Sequence, residues 1–201
     1  MKRLKKRVRL LTGANKRRRE ARQRVLTSMP KRSVCAEIGV WKGNFSARIL
    51  EVVQPVALHL IDPWEFIPDE RYKHALYGGR AAGGQQDMDS VFEAVRQRFA
   101  SEIGDGVVHL HRSPSAKAAE EFPNHYFDWI YIDGNHYYEF VKQDLLSFCP
   151  KVKSGGHIAG DDYGTRGWWK GGVKKAVDEF IASRKAELVL QEAGQFVLRK
   201  S

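Results

Sequence analysis

The segment from Phe127 to Tyr163, FDWIYIDGNHYYEFVKQDLLSFCPKVKSGGHIAGDDY, constrains the fold more than any other stretch. Two apolar runs, Trp129–Ile132 and His157–Ala159, each end on acid, the first at Asp133 and the second at the pair Asp161-Asp162. Between them Val141, Leu145 and Phe148 recur at i, i+4 and i+7, which predicts an amphipathic helix. Lys153-Ser-Gly-Gly156 reads as the turn back into the second run. Strand, helix and strand joined by short connections predict a right-handed βαβ unit in a parallel sheet. Ligands of such sheets sit outside the carboxyl ends of the strands, where the three aspartates fall. Neighbouring strands lie roughly 5 Å apart, so carboxylates at adjacent strand ends can converge on one cation.

A matching unit opens the fold. Val34 to Ile38 is a short apolar run that enters a glycine turn, after which Phe45, Ile49 and Val52 recur at helical spacing. The glycines Gly39 and Gly43 are spaced G-x-x-x-G, and the dinucleotide signature G-x-G-x-x-G is absent, which disfavours a nicotinamide oxidoreductase. An acid, Glu37, precedes the loop. A pyrophosphate wants bare amides at a helix N-terminus, whereas a carboxylate at that strand end suits an ammonium or a sulfonium. Val56 to Asp62 is a second strand ending on acid, about 20 residues past the glycine loop, where a ribose diol is gripped in this architecture.

The long segment Glu65 to Gln86, with Tyr72, Tyr77 and two glycine pairs, is expected to be a lid. A helix follows from Asp87 to Phe99, then a strand from Val107 to His111. Another helix runs to Phe122, with Ser113 or Ser115 as its N-cap. After the acidic pair comes the loop Tyr163–Lys170, whose Trp168-Trp169 either packs against the lid or stacks on a substrate ring. Val173, Val177 and Ile181 mark a last helix. Leu188–Leu190 and Phe196–Leu198, separated by Glu192-Ala-Gly194, read as a closing antiparallel hairpin.

Charge is concentrated at one end. Residues 1–32 carry 14 Lys or Arg and one acid, Glu20, so the chain's net +10 leaves the remainder mildly acidic. Two helical pieces are expected in this arm, interrupted at Gly13-Ala-Asn15. A solvated tail, a helix for an anionic membrane surface, a nucleic-acid-binding segment and an organellar transit peptide all remain open for it. The division is therefore a basic arm, 1–32, and a domain, 33–201. Cys35 and Cys149 have no metal or redox spacing and are expected to be buried free thiols. No run reaches the roughly 20 apolar residues of a membrane span and no secretory h-region follows the basic start. The expected location is cytoplasmic, with the periphery of a membrane as the variant that the arm suggests.

Glu-x-Gly-x-x-x-Gly after strand one, the acid ending strand two and the terminal hairpin together resemble a class I S-adenosylmethionine-dependent methyltransferase. The later motifs, Asp133-Gly-Asn-His136 and Gly155-Gly156…Asp161-Asp162-Tyr163, are similar to the metal-dependent O-methyltransferases. With Asp62-Pro-Trp64, Gln86-Asp-Met-Asp89 and Gly172-Val173…Ala176-Val177, they look like the branch acting on macrolide-linked and other sugars. The resemblance implies an α/β, Rossmann-like sheet of seven mostly parallel strands, helices on both faces and a C-terminal antiparallel hairpin. It implies that Glu37, Gly39 and Gly43 frame the methionine part of S-adenosylmethionine, that Asp62 binds the ribose, and that Arg112 and Ser113 lie near the adenine. Asp133, Asp161 and Asp162 would hold Mg²⁺ or Mn²⁺, and His136 would be the base. Tyr163, Trp168 and Trp169 would face the acceptor. In the catechol enzymes the third metal ligand is an amide; Asp162 here favours a sugar or polyol hydroxyl as acceptor. Two other functions compete: a nucleic-acid-binding or -modifying methyltransferase using the arm, and a cofactor-binding protein without catalysis.

Overall fold

The structure, a computed structural model, describes residues 2–201 apart from Arg166 and Trp168, and for residues 2–12 and 14 the backbone only. In chain order the elements are α1 (Lys2–Ser28), β1 (Val34–Ile38), α2 (Asn44–Val53), β2 (Ala57–Asp62), α3 (Gln85–Arg98), α4 (Ala100–Gly104), β3 (Val108–Arg112), α5 (Ser115–Glu120), β4 (Phe127–Ile132), α6 (Tyr138–Phe148), β5 (Val152–Gly160), α7 (Gly172–Ala182), β6 (Ala186–Glu192) and β7 (Gln195–Lys200). The strands form one seven-stranded sheet in the order β3-β2-β1-β4-β5-β7-β6. All neighbours pair in parallel except β5–β7 and β6–β7, so the hairpin alone is antiparallel.

Alternation along each strand divides the core in two. Cys35, Leu58, Leu60, Trp129, Tyr131, Ala159 and Val197 face one side and are covered by α1, α2 and α3. Ala36, Ile38, Ile130, Ile132, Ile158 and Leu198 face the other and are covered by α5, α6 and α7. Continued by two residues, the first set runs into Glu37, Asp62, Asp133 and Asp161, so the period of two delivers four acids to one edge of the same face.

Three local expectations are corrected. The stretch Lys153–Gly156 is inside β5 and not a turn before it. A register shift between Phe127 and Trp129 takes up the extra residues, Gly155 adopts φ +73°, and a Cβ on Gly156 would meet the Asp128 carbonyl oxygen at 2.6 Å. Ser115 starts α5 but does not cap it; its hydroxyl goes to buried Asp144 on α6. The arm is one continuous helix through Gly13 and Asn15. One mid-helix glycine costs only about 1 kcal/mol relative to alanine, little among so many lysines, arginines and leucines with good helix propensity. Cys35 and Cys149 are buried free thiols, as expected.

The C-terminal part of α1 belongs to the core. Ala21, Val25, Leu26 and Met29 are 0–3% exposed, and the last three join the cluster under α2. At roughly 1.5–3 kcal/mol for each large apolar side chain removed from water, these residues anchor the helix firmly. Arg24 forms a fork to Glu192 at the end of β6 (2.6 and 2.7 Å), and Gln23 accepts a bond from Arg48 of α2 (2.5 Å). Among the described residues no helix is long and apolar enough to cross a membrane.

Candidate active site

The glycine loop after β1 is held by backbone crowding. Gly39 has φ +91°, and a Cβ there would lie 2.4 Å from the Asp133 carbonyl oxygen. Gly43 has φ +70° and abuts the Phe99 ring. The β1 and β4 loops can approach this closely only with glycine between them. Glu37, 1% exposed, accepts a hydrogen bond from the Ser46 hydroxyl of α2. Burial pushes its carboxyl up to about 8 against the opposing effects of Ser46 and Arg22, with Asp133 and Asp62 adding to the rise.

Asp62 is also buried, and its oxygens are heavily used. They accept from the amides of Val40 (2.8 Å), Trp41 (3.0 Å) and Trp64 (2.8 Å), and from the Tyr77 hydroxyl of the lid segment. Burial raises its pKa, and these donors counter the rise. The lid segment is tied down at a second point, where Asn135 Nδ2 donates to the Tyr72 hydroxyl (2.7 Å). Arg112 turns to α3: it pairs with Asp89 and lies over the Phe92 ring, 4.8 Å from its centroid. The Ser113 amide bonds the Asp62 carbonyl (3.2 Å), so the β3 end is laced to the β2 end.

At the ends of β4 and β5 the acidic rim is assembled. Asp133 Oδ1 lies 3.3 Å and Asp162 Oδ2 3.5 Å from His136 Nε2. One ligand atom from each of Asp133, His136 and Asp162 falls within 4.8 Å of the others, a spacing that could hold a metal ion. Asp162 adopts φ +61°, a left-handed conformation uncommon outside glycine but one that aspartate and asparagine visit more readily than other residues. Asp161 Oδ1 accepts from the Asp162 amide (2.8 Å) and from Gln195 Nε2 (2.5 Å), while Gln195 Oε1 accepts from the buried Tyr131 hydroxyl (2.6 Å). The other oxygen of Asp161 does not join the His136 group. It points at α1.

There Arg18 and Arg22, one helical turn apart, enter the rim. Arg22 Nη2 reaches Asp133 Oδ2 at 2.7 Å and also contacts Asp161; Arg18 Nη2 reaches Asp161 Oδ2 at 2.5 Å and Asp162 Oδ1 at 3.0 Å. The guanidinium of Arg22 also lies over the Phe45 ring, 5.3 Å from its centroid. Burial works to raise the Asp161 carboxyl, but Arg22 and Arg18 outweigh it and hold the pKa below the ordinary value. Asp133 goes the other way, raised by burial and by Asp161. For His136 burial disfavours the imidazolium, yet the Asp133 hydrogen bond and the surrounding carboxylates prevail and raise its pKa.

Trp169 is half-buried, its ring centroid 4.9 Å from that of His136. Trp168 lies outside the described residues. Tyr163 is buried and turned away from the rim, donating to Asp178 of α7 (2.7 Å) and packing on Phe196. Thr165 bonds Asp162 Oδ1 (2.9 Å) and borders an open basin of about 730 Å³ lined by Lys170, Lys174 and Lys175. Arg18, Arg22 and Gln195 were not singled out by the sequence, and Tyr77 was read only as part of the lid segment. For the arginines a signal exists in retrospect: positions 18, 22, 25 and 29 form one helical stripe, cationic first and apolar after.

A family model described as a methyltransferase domain matches residues 36–163. None of the curated proteins matches the sequence. Among solved structures, the O-methyltransferase NovP superposes with a TM-score of 0.62 at 23% identity, over 92% of this chain and 80% of that one. The N-methyltransferase NodS from Bradyrhizobium japonicum gives 0.58 at 17% identity, covering 92% and 96%. The 1,6-didemethyltoxoflavin-N1-methyltransferase of Burkholderia thailandensis, with bound S-adenosylhomocysteine, gives 0.57 at 12% identity, covering 90% and 77%.

Proposed function

Because the chain belongs to the methyltransferase-domain family and has the class I S-adenosylmethionine-dependent methyltransferase fold, we propose that it transfers a methyl group from S-adenosylmethionine to a hydroxyl of a sugar or polyol, assisted by Mg²⁺ or Mn²⁺. The observation that carries the reading is the convergence of Asp133, His136 and Asp162 within 4.8 Å beside the Trp169 ring.

The residues fit the cofactor in kind. Gly39 leaves bare backbone where any Cβ would clash, and Glu37 offers a buried carboxyl to the cofactor's ammonium. Asp62 is the ribose ligand of this reading. Among the described residues its only side-chain donor is Tyr77, the group that a ribose hydroxyl would replace. Arg112 holds α3 in place, and Ser113 stands at the adenine side. The acids likewise fit a hard divalent ion, since carboxylate oxygens suit Mg²⁺ or Mn²⁺. Asp133, Asp161 and Asp162 would hold it, with His136 Nε2 beside them left free for a proton. Such an ion supplies an acidified and oriented acceptor hydroxyl.

Sugar hydroxyls scarcely ionise near neutral pH, so the chain must handle the proton. His136 Nε2 is placed to take it, while S-adenosylmethionine, when bound, would supply the methyl group for the acceptor oxygen and keep the electron pair of its broken carbon–sulfur bond on sulfur. A cation on the carboxylates would remove the cause of the upward shift at His136 and leave burial, which favours the neutral imidazole that a base must be. Trp169 presents a ring face suited to the apolar side of a sugar. In-line geometry supplies much of the remaining rate.

The test is calorimetric and kinetic. S-adenosylmethionine should bind the purified chain with measurable heat, and Mn²⁺ should stimulate methyl transfer in a screen of glycans, catechols and nucleic acids. Equal turnover in EDTA would refute the metal's part. His136→Ala should slow single-turnover chemistry while leaving cofactor affinity intact; an unchanged rate would remove it as base. A nucleic-acid acceptor ranks lower, because Arg18, Arg22 and Arg24 are already committed to protein carboxylates.

A further inference from the structure

We propose that α1 is a built-in competitor for the cation seat: the guanidinium groups of Arg18 and Arg22 are bound to the same three carboxylates that a divalent ion would use, at Asp133 Oδ2, Asp161 Oδ2 and Asp162 Oδ1, so that metal loading and docking of this part of the arm exclude each other. The inference rests on the metal-assisted reading above. Arg22 bonds Asp133 at 2.7 Å and Arg18 bonds Asp162 at 3.0 Å, and these are two of the three residues whose ligand atoms lie within 4.8 Å. A cation at that spacing would lie against two fixed positive charges. Like charges at such distances disfavour one another strongly where water is limited.

The helix is constructed for this role in two parts. Positions 25, 26 and 29 are buried apolar anchors that hold α1 on α2 and β7. One turn earlier, Arg22 keeps 28% of its side chain exposed, and Arg18 keeps 39%. Arg18 can therefore withdraw into water without breaking the apolar contact. Docking is also incompletely satisfied, since the Nε of Arg22 is buried with no hydrogen-bond partner among the described residues. A permanent salt bridge would be expected to use that donor. Tethering keeps the guanidinium groups at a high effective concentration, so the metal must outcompete them and not merely find an open site.

Mn²⁺ binding to the full chain, followed by calorimetry and by the loss of the free-ion paramagnetic resonance signal, tests the proposal without turnover. Arg18→Gln/Arg22→Gln should bind Mn²⁺ at least tenfold tighter than the parent, and Arg18→Gln alone about threefold tighter. The single variant keeps the test valid if the double variant fails to fold. In the parent, saturating Mn²⁺ should speed amide hydrogen exchange around residues 16–22 while residues 25–29 stay protected. Equal Mn²⁺ affinity across the three proteins, with exchange unchanged, overturns the competition and leaves the metal-assisted reading intact. Absence of Mn²⁺ binding in all three, with S-adenosylmethionine still bound, overturns the competition and the metal reading together.

Discussion

Replacing Glu37 by Gln should make the protein more stable at neutral pH and blind to the cofactor's charge. The carboxyl is 1% exposed, receives one hydrogen bond from Ser46, and titrates at about 8 in the folded chain against 4.5 unfolded. An acid whose folded pKa is raised binds more protons folded than unfolded throughout that window. Stability therefore falls as pH rises from about 4.5 to about 8, and the full penalty is present above it. At pH 7 the penalty already amounts to roughly 3 kcal/mol, from about 2.5 pH units at 1.36 kcal/mol each. Glutamine has the same shape and never ionises. After about 1 kcal/mol for the second amide N–H left without a partner, Glu37→Gln should gain about 2 kcal/mol at pH 7 and lose about 1 kcal/mol at pH 4.5. Urea unfolding of both proteins at several pH values, read as their difference, cancels the other titrating groups. A difference that does not change between pH 5 and 8 would refute the burial argument. The same carboxyl predicts proton release: at pH 7 S-adenosylmethionine should drive close to one proton off Glu37, seen as buffer-dependent heat in the parent and absent in the variant.

Three other substitutions probe separate links of the argument. Gly39→Ala forces a Cβ within 2.4 Å of the Asp133 carbonyl oxygen at φ +91°; it should cost about 2–4 kcal/mol in urea unfolding and weaken cofactor binding. Leu26→Ala empties a side chain 1% exposed in the core under α2, so a loss of about 2–5 kcal/mol is expected, and a loss under 0.5 kcal/mol would mean that the arm is not structurally part of the domain. Trp169→Ala should lower kcat/KM for a sugar acceptor about two- to tenfold, the range of one aromatic contact, with the S-adenosylmethionine Kd unchanged; a change confined to cofactor binding would contradict its placement at the acceptor.

The sheet was legible because its signals are local. Apolar runs that stop on acid mark both the strands and the edge where function collects, and alternation alone sends Glu37, Asp62, Asp133 and Asp161 to one face. What was not legible depends on chain segments meeting from afar. Arg18 and Arg22 sit in a run of like charge, the ordinary mark of a solvated face, and only the buried Val25 and Met29 further along the same stripe reveal its direction. Gln195 carries no motif and matters because antiparallel pairing of β7 on β5 sets its amide on Asp161 at 2.5 Å. The glycine pair at 155 and 156 signals backbone freedom correctly, but a bulge inside a strand and a turn before it use the same residues. Arg112 and Tyr163 were read by position in a motif, and their side chains follow nearby α3 and α7 partners.

The rim and the arm are therefore better treated as one electrostatic problem. Parallel strand ends bring Asp133, Asp161 and Asp162 together whatever else the chain does, and their mutual repulsion in a partly buried place requires positive charge nearby. His136 supplies some of it, and its raised pKa is the consequence. The rest can come from α1 or from a divalent ion. Only the ion would leave coordination positions for an acceptor hydroxyl, because a guanidinium donates hydrogen bonds and has no site to receive an oxygen lone pair as a Lewis acid does. The arm-docked arrangement is thus charge-balanced but chemically closed. On the proposed metal-assisted reading, a chain whose fold forces three carboxylates together gains a stable resting state from its own arginines, and would reach a reactive state only when those arginines yield.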